Sequence, residues 1–172
     1  MKIRCVELGD AERLSAYYVV NKEHFRAWEP KRAREFYTRS YWQDRVYEML
    51  AEQNKGEAAY FLLVESGESD IVAHCTLSQI VRGVFQACYM GYGISAHSQG
   101  KGLMPQLCRT VIAHGFSELG LHRIMANYMP HNNRSAQLLN QLGFRREGYA
   151  KDYLKINGHW EDHVMMALVR KV

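Results

Sequence analysis

The stretch of this sequence best suited to chemistry is His97-Ser98-Gln99-Gly100-Lys101-Gly102, set between Gly91-Tyr92-Gly93-Ile94 and an amphipathic run that opens Leu103-Met104. Glycines let the main chain approach a ligand with no Cβ in the way, and the unpaired N–H groups of a helix's first turn point outward at it. With the helix dipole added, such an entry holds a phosphate or pyrophosphate. Lys101 has two readings, a phosphate ligand or a side chain in water, because a backbone cradle needs no lysine. Two nucleotide motifs fit less well. A Walker loop needs Ser or Thr after Gly-Lys to hold magnesium, and Gly102 stands there. Gly91-Tyr92-Gly93-Ile94-Ser95-Ala96 matches the dinucleotide pattern formally, but that pattern turns directly into a helix, whereas here another loop intervenes. Glycine inside a strand marks a bulge or a close backbone approach, and a bulged strand is the reading for Gly91 and Gly93.

The other reactive side chains carry less. Cys5, Cys75, Cys88 and Cys108 are widely spaced with no Cys-x-x-Cys pair, which fits a reducing compartment. His159-Trp160-Glu161-Asp162-His163 invites a metal, yet residues four apart on a strand sit about 13 Å apart, too far to share one ion, so no metal is expected. The formal charge of +4 would attract an anionic cofactor or an RNA-rich particle, but no DNA- or RNA-binding motif accompanies it. No run approaches the roughly 18 apolar residues of a membrane span, and Met1 to Glu7 alternates instead of forming a signal peptide. A cytoplasmic protein is expected.

The elements that must position the glycine loop follow from periodicity. Lys2 to Glu7 reads as a strand, and Asp10 can cap a helix running through Leu14, Tyr17 and Tyr18 toward Asn21. His24 to Pro30 is aromatic and irregular. A second helix spans Tyr41 to Asn54, with Gly56 available past its end. Strands at 59–65, 71–80 and 87–94, parted by Gly67-Glu68-Ser69-Asp70 and Arg82-Gly83, suggest consecutive antiparallel pairing. Leu103, Leu107, Val111, Ile112 and Phe116 form one face of a helix, with Pro105 tolerable in its first turn. A strand at 122–128, a helix at 133–142 and strands at 144–154 and 160–169 around Asn157-Gly158 complete the order. With three prolines and no linker or repeat, one α+β domain over 1–172 is expected.

A glycine-bearing strand, a Gly-x-Gly helix entry, a further strand, then Asn132-Asn133-Arg134-Ser135 before a helix ending Leu142-Gly143-Phe144 resembles the GNAT acetyltransferases. Nearly the whole chain takes part. Val81-Arg82-Gly83, Ala87-Cys88-Tyr89, Gln99 to Met104, His122 to Asn132, Glu147 to Leu154 and Trp28-Glu29-Pro30 further resemble the branch that acetylates the N-terminal alanine of ribosomal proteins. The resemblance implies a mostly antiparallel twisted sheet of about seven strands flanked by about four helices. It implies acetyl-CoA as cosubstrate, with the pantetheine arm in a gap at Tyr92-Gly93-Ile94 and the pyrophosphate on Gln99, Gly100, Lys101, Gly102, Leu103 and Met104. Asn132 would contact the cofactor and Ser135 would lie near the departing sulfur. Many relatives place a tyrosine acid where this chain has Leu139, which leaves Ser135 as thiolate stabiliser; a serine capping helix N–H groups is compatible with that role.

The acceptor amine must be neutral to attack a thioester. An α-amine is on the order of a tenth neutral at pH 7, a lysine only on the order of a few parts in ten thousand, so an Nα-acetyltransferase can manage with a weak or water-mediated base. A related member's glutamate base aligns with Leu154, so Asp152, Glu29 and Glu147 remain as candidates, each also readable as a surface carboxylate. Phe25, Trp28, Glu29, Tyr149 and Tyr153 are the candidates for gripping an extended peptide, with core packing as the alternative; Tyr149 and Tyr153 share parity on a strand. The expected partner is the N-terminus of a small-subunit ribosomal protein, met free or on the ribosome or its precursor. A small-amine or drug acetyltransferase, or a CoA-binding ribosome-assembly factor, are the competing readings.

Overall fold

Alternating apolar side chains build one seven-stranded sheet in the computed structural model, which describes residues 1–67 and 70–171. The strands are β1 (Lys2–Cys5), β2 (Ala59–Val64), β3 (Ile71–Val81), β4 (Ala87–Ile94), β5 (Arg123–Tyr128), β6 (Arg145–Ile156) and β7 (His159–Val169). Their spatial order is β1-β2-β3-β4-β5-β7-β6. Every neighbour is antiparallel except β4 and β5, which run parallel. Glu68 and Ser69 of the expected turn lie outside the described residues.

Period-two alternation sends each strand's side chains to opposite faces, and the sheet has a core on both. On one face α1 (Ala11–Val20) and α3 (Arg39–Lys55) cover Tyr60, Leu62 and Val64 of β2. On the other, α4 (Leu103–Ser117) lays Leu107, Cys108 and Val111 against Cys75, Leu77 and Cys88, and α5 (Asn133–Gln141) adds Leu138 and Leu139. The Thr38 hydroxyl caps α3 by accepting from Tyr41 N–H at 3.2 Å, and Gly56 ends it in the left-handed conformation expected of it. The segment expected to be irregular holds a short helix, α2 (Lys22–Arg26), which brings the described residues to five α-helices, in keeping with the about four expected.

Three local expectations are corrected. Asp10 does not cap α1 with its side chain; the carboxylate is fully buried, pairs with Arg4 at 2.7 Å and Arg13 at 3.1 Å, and accepts from Glu7 N–H. Gly91 and Gly93 form no bulge against β3, since the register runs unbroken from Met90 to Ile94; the irregularity falls between Ser78 and Val81, where Gln79 has φ 51°. A second irregularity lies on β6 between Ala150 and Leu154, with Asp152 at φ 46°.

The gap needed by a ligand arises differently. β4 pairs with β5 only at Ala87, Cys88 and Tyr89, and beyond Tyr89 the two strands part. From Met90 onward β4 is held by β3 on one edge while its other edge faces a cleft. Parallel strands tied by only three pairs can diverge without breaking either antiparallel ladder.

Candidate active site

The cleft encloses about 610 Å³, within the range of small-molecule sites, and runs from the parted edge of β4 to the N-termini of α4 and α5. At one end Gly100 and Gly102 have φ 73° and 72°, a region costly for residues with a Cβ, and Gly102 is the residue from which α4 starts. A Cβ at either would meet nothing within 4 Å, so these glycines serve the backbone conformation and leave the space before α4 open. Leu103 and Met104 present first-turn N–H groups there, and Gln99, Lys101 and Arg134 line the same space. The resemblance's cofactor residues Tyr92, Gly93, Ile94 and Gln99 through Met104 all border one cleft, together with Asn132 and Ser135.

α2 and the residues after it bring Phe25, Trp28 and Glu29 to the same cleft. Phe25 is buried against Tyr17 and His74, so much of it is core. Trp28 is partly exposed and lies over His131, ring centroids 5.6 Å apart, spanning from the α2 region to the loop before α5. The Glu29 carboxylate pairs with Arg32 at 3.2 Å. Burial raises its pKa, and Arg32 offsets only part of that rise. Its carbonyl accepts from Asn157 N–H at 3.0 Å, tying this segment to the β6–β7 turn.

Of the three candidate bases, Glu29 alone borders the cleft. Glu147 pairs with Arg123 at 2.6 Å on the surface, and Asp152 is exposed, its N–H donating to Asp162 at 2.9 Å. Tyr149 and Tyr153 do not share a face, because the regular alternation between them is broken around Asp152, at φ 46°. Tyr149 is on the face of Val164, its cross-strand partner, and donates to Asp162 at 2.6 Å. Tyr153 turns to the other face, against His163, with its hydroxyl 3.4 Å from Asn127 Nδ2. His163 is buried, its Nδ1 3.0 Å from the Glu161 carbonyl, while His159 at the start of the same strand is exposed.

At the N-terminus of α5 the cap is Asn132, whose Oδ1 accepts from Ser135 N–H at 3.1 Å. The Ser135 hydroxyl is therefore not the helix cap, and it borders the cleft together with Tyr92. Burial raises the Tyr92 phenol well above its ordinary value. Leu139 is fully buried one turn further along α5. No cysteine borders the cleft; Cys75, Cys88 and Cys108 are buried free thiols, and burial pushes Cys88 up to about 12.

Sequence reasoning missed two groups. His74 of β3 packs opposite Gly93 so closely that a Cβ there would lie 2.5 Å from its Cε1. Gly93 is a glycine because of that ring. Tyr17 Oη is 3.3 Å from His74 Nδ1, and burial, with the charge of Arg32, lowers His74 to about 4, so the imidazole is neutral. The second group crosses the cleft: Arg134 donates to Gln99 Oε1, while His24 Nε2 lies 3.1 Å from Gln99 Nε2 and 3.1 Å from the Ile94 carbonyl. One ring nitrogen cannot serve both, so an unprotonated Nε2 accepts from Gln99 and a protonated one donates to Ile94. The only sequence signal for either group was the glycine at 93.

A family model described as an acetyltransferase (GNAT) domain matches residues 1–145. An Escherichia coli (strain K12) protein named ribosomal protein uS5-alanine N-acetyltransferase is 46% identical over 166 residues, covering 96% of this chain and 86% of its own length. Among solved structures, ribosomal-protein-S5-alanine acetyltransferase from Vibrio fischeri superposes with TM-score 0.94 at 38% identity, covering 97% of this chain and 91% of the other. Mycobacterium smegmatis RimJ in complex with CoA-disulfide superposes with TM-score 0.90 at 27% identity, covering 97% and 80%. The residues here fit acetyl-CoA: an open strand edge for the amides of its arm, a glycine-lined helix entry for its pyrophosphate, and Lys101 and Arg134 for its negative charge. This chain belongs to the GNAT family of acetyl-CoA-dependent N-acetyltransferases.

Proposed function

We propose that the chain, acting as one domain over residues 1–172, is a cytoplasmic Nα-acetyltransferase for the N-terminal alanine of a small-subunit ribosomal protein. Its acceptor is met free or on the ribosome or its precursor. The names of the Escherichia coli and Vibrio fischeri relatives support the acceptor. The observation that carries the reading is the poverty of acid in the cleft. Glu29 is the one carboxylate among its described lining residues, and Arg32 pairs with it. A polyamine or aminoglycoside, with several cationic amines, needs several carboxylates; a peptide N-terminus brings one amine, and the rest of it asks for main-chain partners and aromatic surface such as Trp28.

The acetyl group arrives as a thioester. The free edge of β4 at Tyr92 to Ile94 aligns the arm that carries it, and the Gln99–Met104 entry fixes the far end. Glu29, with its raised pKa, accepts the amine's proton directly or through water, a modest task because an α-amine is already on the order of a tenth neutral at pH 7. Ser135 stabilises the leaving sulfur. Attack is direct within a ternary complex, as no cysteine borders the cleft. Peptides beginning Ala, Ser or Met, and a blocked peptide with an internal lysine, incubated with acetyl-CoA and mapped by tandem mass spectrometry, test this. Acetyl on the α-nitrogen, with Ala preferred, supports the reading; preferential transfer to the lysine side chain overturns it.

A further inference from the structure

On the face of the sheet covered by α1 and α3, the packing leaves a second pocket of about 260 Å³. It shares no lining residue with the cofactor cleft. A dry cavity of about 150 Å³ already holds a benzene ring, so this space takes a ring that carries a short substituent. Its walls are largely aromatic. Tyr18 stacks on Trp42 with centroids 4.8 Å apart and planes 10° from parallel, and Phe36 and Tyr41 each meet the Trp42 ring edge-on at 5.2 and 5.6 Å. Arg32 and Tyr41, which also border the pocket, are exposed, so the space reaches solvent beside them.

The polar groups around this pocket are unusual for a core. Trp42 is 5% exposed, and its Nε1–H has no acceptor among the described residues. An indole nitrogen only donates, and buried donors in folded proteins are almost always paired. An unpaired one on the wall of a pocket therefore calls for an acceptor from outside the chain. The charged residues on the same wall are Arg32 and Arg45, and no carboxylate borders the space. Arg45 is fixed by Glu48, Glu52 and the Tyr60 hydroxyl. The Arg32 guanidinium lies over the Phe36 ring at 4.5 Å and gives one nitrogen to Glu29, which leaves further N–H groups to donate. His74, the imidazole on this wall, is neutral and adds no charge.

We propose that this pocket is a second binding site, for a small organic carboxylate with an aromatic body. The ring lies among Tyr18, Phe36 and Trp42, and the carboxylate accepts from Trp42 Nε1–H and from Arg32. An amine in the same place would face two guanidiniums with no counter-charge on the wall, and a purely apolar occupant would leave the indole donor unpaired. The assignment does not depend on what the cofactor cleft binds.

The test reads the indole N–H itself. Nitrogen-15 labelled protein is titrated with phenylacetate, and with phenethylamine as a cation of nearly the same shape, while the Trp42 Nε1–H cross-peak is followed by NMR; its absence from Trp42→Phe assigns it. Phenylacetate is expected to move that cross-peak saturably, and phenethylamine to leave it in place. Trp42→Phe, which keeps an aromatic ring and loses the donor, is expected to weaken phenylacetate binding by about tenfold in calorimetry. Arg32→Gln is expected to weaken it by a similar factor of about ten, through loss of a charge-assisted hydrogen bond. Thermal unfolding checks that each variant is folded, and Arg32→Gln decides the matter if Trp42→Phe is not. The affinity is expected to stay within about twofold when CoA saturates the protein, as for sites with no shared residue. The proposal is overturned if the cross-peak is unmoved by phenylacetate at about 10 mM, the behaviour of a pocket that holds only water. It is equally overturned if phenethylamine moves the cross-peak as much, if the folded variants bind phenylacetate as wild type does, or if CoA weakens phenylacetate about tenfold, which would place the probe in the cleft.

Discussion

In the proposed mechanism Glu29 is the side chain on which proton removal turns. Its carboxyl is raised by burial, so it ionises above the roughly 4.3 of an exposed glutamate. A base works when ionised, so activity should rise with pH first through the Glu29 ionisation and again through that of the acceptor amine. Glu29→Gln should lower kcat/KM by about tenfold or more and erase the lower inflection in a pH–rate profile. An unchanged profile would assign the proton to water alone. A second change at this scale is Gly93→Ala. The added methyl would sit 2.5 Å from His74 Cε1, and either the ring or the strand must move. Overpacking of this kind costs about 1–3 kcal/mol, readable as a loss in unfolding free energy together with weaker CoA binding.

At the scale of elements, the α4 entry depends on glycines held at left-handed angles. Gly102→Ala should cost about 1–2 kcal/mol and raise KM for acetyl-CoA more than it lowers kcat, because it disturbs a grip on the cofactor and not the reacting atoms. The turn from β1 into α1 depends on Asp10. Burial alone would raise its carboxyl, but hydrogen bonds from Arg4 and the Glu7 N–H, with the charge of Arg4, hold it below the ordinary 3.8. Stability from this group is therefore complete above the unfolded value and is lost as pH falls through the folded one. Asp10→Asn removes the buried negative charge that Arg4 and Arg13 share and should cost about 3–5 kcal/mol in chemical denaturation at neutral pH. The sequence made the elements themselves legible, because apolar spacing and glycine placement act locally; Gly56 ends α3 and Gly102 starts α4 as their positions implied. The irregularities at Gln79 and Asp152 were not legible. Each is a residue with a side chain at positive φ, imposed by strand pairing that local composition does not encode, and the second of them separates Tyr149 from Tyr153.

For the whole molecule, the cofactor cleft comes from a pairing that ends early. β4 leaves β5 after Tyr89, and the two strands are joined in sequence through all of α4, so nothing near Gly91 or Gly93 announces the gap. The glycines suggested an opening in the right place for the wrong reason. Charge acts at this scale too. With a formal charge of +4, and Lys101 and Arg134 at the pyrophosphate end, CoA binding should weaken as salt is raised from low ionic strength, measured by calorimetry. The central claim is that the cleft is built for a single α-amine and not for a polycation. It is tested most directly by the initial rate of acetyl transfer to a peptide with a free N-terminal alanine against the rate to spermidine, at equal concentration and pH 7. The account predicts that the peptide is favoured by about a hundredfold or more, the order set by the neutral fractions of the two kinds of amine. Spermidine acetylated as fast as the peptide, or faster, would contradict it.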